Sequence, residues 1–256
     1  MKIIIYIFIF CLGLVLGSFL NVVGSRLSIG KGINNPKRSY CETCNHTLNF
    51  LDLIPVFSFV FNKGKCRYCK TKLSYFYPIT EILCGILYVT SYKVFGFSYE
   101  FGVAILLSSL LIMVMVSDIN YLIIPDEIII GISVLLIILS FIFTGFSQTT
   151  INIFYGALMF GFMYLLMCFG DFIFKKETLG GADIKLMFII GFVIGPLPSL
   201  FAIFLASVIA LPISIILMFK NKENIIPYGP FLVLALVFIY FFNINSEYLI
   251  NMFSLF

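Results

Sequence analysis

Apolar runs separated by short polar stretches set the organisation of this chain, at residues 3–23, 78–96, 101–117, 122–143, 151–174, 186–197, 199–219 and 229–252. Most approach the roughly 20 residues that an α-helix with a 1.5 Å rise needs to cross hydrocarbon. Gly195, Pro196 and Pro198 divide one long run into two, because glycine and proline together favour a reversal; the sixth segment then extends back to about Ile184. The pattern predicts an all-α polytopic membrane protein of about eight transmembrane helices. The first run has only Lys2 before it and continues into GSRLSIGKG without a cleavage signal, so it reads as a retained span. One long polar stretch interrupts the series early. The expected organisation is a first helix at 1–23, a loop at 24–77, and a transmembrane core at 78–256.

Composition agrees: 61% of the 256 residues are hydrophobic and 11% are charged, far from the average of a water-soluble domain. The net charge of +4 carries topology, not an affinity for nucleic acid. Nine of the 16 Lys and Arg residues fall between Arg26 and Lys72; Lys175, Lys176 and Lys185 follow the fifth run, and Lys220 and Lys222 follow the seventh. With an even number of spans only Lys2 and Lys93 lie on the opposite face. The positive-inside rule then places both termini outside and the 24–77 loop in the cytoplasm.

Two acids sit beside long apolar runs, Asp118 in SDINYLIIPD and Asp183 in LGGADIKL. A charge near hydrocarbon costs roughly 2.5 to 3.5 kcal/mol on insertion scales, so such residues usually have a use. The expected topology brings both to the cytoplasmic end, although 65 positions separate them. Asp126 and Glu127 share that layer, with Pro125 marking a helix start; their plain reading is as helix caps. Gly180 and Gly181 before Asp183 cost backbone entropy in an ordinary helix and suit the close approach of another backbone or of a substrate strand. Paired carboxylates that share one proton provide an acid and a base together. They can activate water against a peptide carbonyl without a nucleophilic side chain. His46 is the sole histidine and no GxSxG or HExxH arrangement occurs, so serine and zinc-dependent proteolysis lose support.

The loop carries Cys41-Glu42-Thr43-Cys44 and Cys66-Arg67-Tyr68-Cys69, two CxxC knuckles separated by 21 residues. This is the spacing of a structural four-thiolate zinc site, in which each turn presents two sulfurs to one metal. The expected loop is small and zinc-ribbon-like. Redox CxxC pairs are the alternative, disfavoured by a cytoplasmic position and by the lack of a thioredoxin-like pattern. Cys11, Cys84 and Cys168 lie in apolar runs and read as small hydrophobic residues.

These stretches carry a resemblance that covers nearly the whole chain. GSFLNVVGSRL (Gly17 to Leu27), the paired knuckles, YPITE (Tyr77 to Glu81), DINYLIIPD (Asp118 to Asp126), GGADIKL (Gly180 to Leu186) and IPYGPFL (Ile226 to Leu232) follow one another as in the prepilin peptidases, which the sequence resembles. That family groups leader peptidases, often also N-methyltransferases, with GxGD-type intramembrane aspartic proteases. The resemblance implies that Asp118 and Asp183 are catalytic and gives Asp126 no catalytic role. It also implies type 4 prepilin or pseudopilin precursors as substrates, S-adenosylmethionine as a methyl donor, and a multi-pass location in the bacterial inner membrane among its lipids. Three positions depart from the usual pattern: Ala182 stands in place of a third glycine, Ser28 in place of a proline, and Glu42 in place of a proline. Ala182 requires an ordinary helical or extended backbone just before the acid.

A prepilin of this kind keeps a basic leader in the cytoplasm and an apolar helix in the membrane, so the bond to be cut lies at the depth expected for Asp118 and Asp183. The bond must be locally extended, and Gly180 and Gly181 are the expected hosts. For the methyl transfer the polar residues Asn21, Arg26 and Glu81 are candidates, with interface anchoring as the equal alternative. Two other classes remain to be weighed. A proton-coupled transporter would place its acids at the midplane of two related halves, and only Asp171 suits that idea. A non-catalytic, zinc-stapled assembly subunit would use the loop alone.

Overall fold

Apolar side chains all round a helix need either lipid or a protein core, and both solutions occur here. The computed structural model describes residues 2–34, 37–41, 43–175, 179–220 and 227–253, so Glu42, Lys176, Lys222 and Ile226 lie outside the described residues. Helix α1 (Lys2–Ser28) leads into the cysteine loop, which holds a 3-10 turn (Phe50–Leu53) and a short α2 (Phe57–Phe61). Then follow α3 (Phe76–Phe95), α4 (Tyr99–Tyr121), α5 (Asp126–Phe174), α6 (Gly181–Ile194), α7 (Pro196–Lys220), α8 (Gly229–Phe241) and α9 (Ser246–Phe253). Four of these, α1, α4, α5 and α7, are long and apolar enough by themselves to cross a membrane.

The 49 residues of α5 would extend about 74 Å as one rod, more than twice the hydrocarbon thickness. Gly145 prevents this. Its φ of 80° and ψ of 175° reverse the chain, so the hydroxyls of Ser140 and Thr149 meet at 3.0 Å across the bend. Residues 126–144 and 146–174 are therefore two spans, as the hydropathy pattern requires. Gly195 takes nearly the same conformation, φ 78° and ψ 176°, to turn α6 into α7, with Pro196 opening the next helix at the position proline tolerates best. The last apolar run differs from expectation: it breaks at Asn243 into α8 and α9, because the polar Asn243 to Glu247 stretch interrupts it.

The inner layer is α4, α6 and α8. Leu107, Leu110, Val114, Leu186, Ile189, Leu232 and Leu236 are fully buried in one continuous core. In α4 72% of the most apolar stretch is buried, against 22% in both α1 and α7, whose outer faces suit lipid. Small residues let the outer helices approach. A Cβ on Gly13 would lie 2.7 Å from the Gly85 Cα, and one on Gly191 would lie 2.6 Å from the Tyr155 carbonyl oxygen. Such glycine contacts are a common way for helices to pack in lipid.

Polar contacts fix which helix ends lie together. The Thr80 hydroxyl donates to Asn21 Oδ1 at 2.8 Å, joining the C-terminal part of α1 to the start of α3. Gly24 of α1 abuts Val116 of α4, and Lys185 Nζ donates to both Asp126 carboxylate oxygens at 2.6 and 2.7 Å, joining α6 to α5. The ends of α1 and α4 and the starts of α3, α5, α6 and α8 thus gather on one face, beside the cysteine loop. Helices α6 and α8, with 14 and 13 residues, reach only about 20 Å.

Candidate active site and metal centre

Asp118 lies in the last turn of α4, which runs on to Tyr121 and closes with Leu122 in the left-handed conformation. It is buried, with 8% of its surface exposed. The backbone N–H of Gly229, at the start of α8, donates to its carboxylate. Position 229 has no room for a side chain: a Cβ there would lie 3.1 Å from Asp118 Oδ2 and 2.5 Å from Ile124 Cδ1. Asp183 is half-buried in the first turn of α6, and its backbone N–H donates to the Gly180 carbonyl at 3.1 Å. It is close enough to Asp118 for the two charges to interact, and Tyr228 also senses its charge. The sequence-derived acids therefore lie within electrostatic range of each other, beside α8, which packs on both α4 and α6.

Gly180 precedes α6 with φ −67° and ψ 133°, and Gly181 is its first residue. Neither uses a positive φ, so Ala182 fits an ordinary helical turn. What glycine provides at 180 is clearance: a Cβ would sit 3.1 Å from Asp183 Oδ2. Both glycines are exposed at the mouth of the acid pair. Asp126 is tied to Lys185, and Asp171 lies in the last turn of α5, near its end, not at the midplane. Reading the sequence alone missed Gly229 and Tyr228 as partners of the acids. The IPYGPFL stretch was the signal, since a Tyr-Gly-Pro start to an apolar helix brings a bare backbone up to a neighbour.

The loop places Cys41, Cys44, Cys66 and Cys69 together, with all four sulfurs within 4.8 Å of one another. The two knuckles repeat one another. Cys41 N–H donates to the His46 carbonyl and Asn45 N–H to the Cys41 carbonyl; Cys66 N–H donates to Thr71 and Lys70 N–H to Cys66 in the same manner. Asn45 and Lys70 both adopt positive φ, at 54° and 60°. Bridges between Tyr40 and Thr47 and between Lys65 and Lys72 close the two turns. Cys41 and Cys69 sulfurs lie 3.8 Å apart, which matches the roughly 3.8 Å edge of a tetrahedron with 2.3 Å metal–sulfur bonds. The Thr71 hydroxyl and backbone, hydrogen-bonding Cys69, hold its thiol down to about 6, favouring the thiolate a metal needs. His46 is no ligand; it stacks on Tyr68 at a 3.7 Å centroid distance. Cys84 is buried between α1 and α3, whereas Cys11 and Cys168 face outward.

A helical membrane protein with two neighbouring acids at one end of its bundle and a four-cysteine loop is the class this architecture defines. Family models sharpen it: the bacterial peptidase A24 N-terminal domain matches residues 11–95 and the type IV leader peptidase family matches residues 105–215. A prepilin leader peptidase/N-methyltransferase of Bacillus subtilis is 36% identical over 190 residues, covering 73% of each chain. Proteins of the same name from Stutzerimonas stutzeri and Pseudomonas aeruginosa are 31% and 29% identical, covering 89% of this chain and 88% of their own. No solved structure matches the chain. The chain belongs to the type IV leader peptidase family.

Proposed function

We propose that this protein is an aspartic endopeptidase that removes the short basic leader from type 4 prepilin-like precursors at the cytoplasmic face of a bacterial plasma membrane. It then methylates the new amino terminus with S-adenosylmethionine. The observation that carries the peptidase reading is the nearness of Asp118 and Asp183, whose charges interact at one end of the bundle, with Gly229 N–H on the first acid. The charge-rich loop on the same face supports a cytoplasmic site with both termini outside.

The substrate's apolar helix stays in the bilayer while its leader remains in the cytoplasm, so the bond between them reaches the acids laterally. Gly180 and Gly181 leave space for the extended strand. Of the two carboxyls sharing one proton, the ionised one draws a proton from water as its oxygen attacks the carbonyl. The protonated one donates to the carbonyl oxygen, and a proton then passes to the leaving amine as the C–N bond breaks. The Gly229 N–H fixes the direction of the Asp118 carboxylate throughout. Cys41, Cys44, Cys66 and Cys69 would hold zinc, which supplies a closed tetrahedral cross-link for the loop and no step of hydrolysis.

The test is leader cleavage of a purified prepilin by Asp118→Asn and Asp183→Asn proteins that remain folded in detergent. Each should lose activity by about 10²- to 10⁴-fold or more, the range of general acid–base catalysis. Undiminished cleavage by either variant rules the assignment out.

A further inference from the structure

The polar loop at 24–77 has an apolar centre. In FLDLIPVFSFVF, Phe50 to Phe61, the only charge is Asp52. Phe50 and Phe61 are 82% and 80% exposed, and Leu51, Leu53, Phe57 and Val60 are exposed as well. Within α2, Phe57, Val60 and Phe61 fall at the i, i+3, i+4 positions of one helical face, which points outward. Packing on the opposite side fixes that direction. Half-buried Phe59 meets Tyr75 edge-on at 5.1 Å between ring centroids, and a Cβ on Gly64 would lie 3.0 Å from its ring. A contiguous apolar face of this kind usually marks a contact surface.

Glu81 sets the depth of this segment. Its Oε2 accepts the Val56 N–H at 2.8 Å, and the Ser18 hydroxyl also bonds to it. Glu81 lies about 8 Å past the Phe76 start of α3 at 1.5 Å per residue, and Ser18 lies well before the end of α1 at Ser28. At this level both helices already turn apolar side chains outward, Phe19 on α1 and Ile79 and Ile82 on α3. In a bundle that crosses a bilayer such side chains face lipid. Val56, immediately before α2, is thus drawn down to the lipid-facing part of the bundle. It is held there at φ 61° and ψ −51°, a costly conformation for a β-branched residue that persists only where the surroundings over-determine it. Glu81 also stands in the wall of a cavity of about 470 Å³ between the cysteine loop and the α1–α3 pair, so the same tether draws the loop over that space.

We propose that α2 is an interfacial helix whose Phe57, Val60 and Phe61 face rests among the acyl chains of the leaflet on the cysteine-loop side. Two observations select lipid as the occupant. The face continues, at the same depth, the lipid-facing side chains of α1 and α3. Four exposed lysines, Lys63, Lys65, Lys70 and Lys72, follow it with no acid among them, a flank that suits anionic headgroups and repels a basic peptide. The contact gives the loop an attachment to the membrane besides α1 and α3, so it cannot swing into water as one body. This surface is independent of the reaction that the acids perform.

The chain contains no tryptophan, so Phe61→Trp places a single indole on this face. The full-length variant is reconstituted in vesicles of phosphatidylethanolamine and phosphatidylglycerol. Its emission should be blue-shifted and should fall by about half or more when the acyl chains carry bromine near their headgroup end, since interfacial helices sit roughly 5–10 Å into that boundary. Acrylamide in the water should quench it little. The unaltered protein gives an independent reading: a phospholipid with a diazirine in its acyl chain should label the tryptic peptide of residues 39–63 at Phe57, Val60 or Phe61. Quenching by acrylamide and not by bromine would put the face in water. Quenching by neither would put it against protein, a second copy or another partner. Either result, or an acyl-chain label absent from residues 57–61, overturns the proposal and leaves the peptidase reading, which rests on Asp118 and Asp183, untouched.

Discussion

A methyl group at position 229 would fall against both the acid and the side chain that packs beneath it. Ile124 Cδ1 is the end of a flexible chain and can yield, whereas Asp118 Oδ2, 3.1 Å away, is the group whose direction matters. Gly229→Ala should therefore lower leader cleavage by about tenfold, because the carboxylate must give by a few tenths of an ångström, with little loss of thermal stability. A variant as active as wild type, measured by single-turnover cleavage, would show that α8 does not orient the acid. Asp118 and Asp183 were legible in the sequence because a charge beside hydrocarbon is costly and hence conspicuous. Gly229 was not, because its contribution is a backbone N–H and an absent side chain, and neither alters hydropathy.

Helix pairs obey the same logic of close approach. A Cβ on Gly191 of α6 would meet the Tyr155 carbonyl of α5 at 2.6 Å, and one on Gly156 would meet the Phe188 carbonyl at 2.8 Å. Both obstacles are backbone, so the helices must separate. Gly191→Ala should destabilise the folded protein by about 1 to 3 kcal/mol, read as a lower unfolding temperature in detergent; an unchanged temperature would mean that this seam relaxes freely. Most helices were visible as apolar runs because hydropathy acts locally. Their ends were less visible. Asp118 falls in α4 although the run stops at 117, since helical hydrogen bonding continues past the last apolar residue. The bend at Gly145 and the break at Asn243 depend on backbone dihedrals. The runs at 122–143 and 151–174 bracket the first, but do not show its reversal at Gly145, across which Ser140 and Thr149 satisfy each other.

For the whole molecule, the loop and the acid pair are separate devices on one face. Chelating a metal held by the proposed four-thiolate site should unfold the region around Cys41 to Cys69, seen as faster hydrogen exchange, while cleavage of a bound prepilin falls much less. Cys69, the exposed thiol held down to about 6, should then alkylate readily at pH 7, its reactivity rising as pH climbs through that value, while buried Cys84 stays slow. Equal loss of cleavage and loop order would assign the metal a part in hydrolysis. The four cysteines were readable from their spacing alone, because a tetrahedral thiolate site is defined by short-range turns. The Glu81 cavity was not, since it arises where three distant segments fail to fill the space between them.

The shortness of α6 and α8 has a mechanical meaning for any arriving transmembrane partner. Two central helices of only about 20 Å fall short of the roughly 30 Å hydrocarbon thickness, so space for water is left inside the bundle beyond their ends while the longer outer helices keep contact with lipid. A guest helix that brings one end to such a wet recess can fray its terminal turn there while the remainder stays anchored.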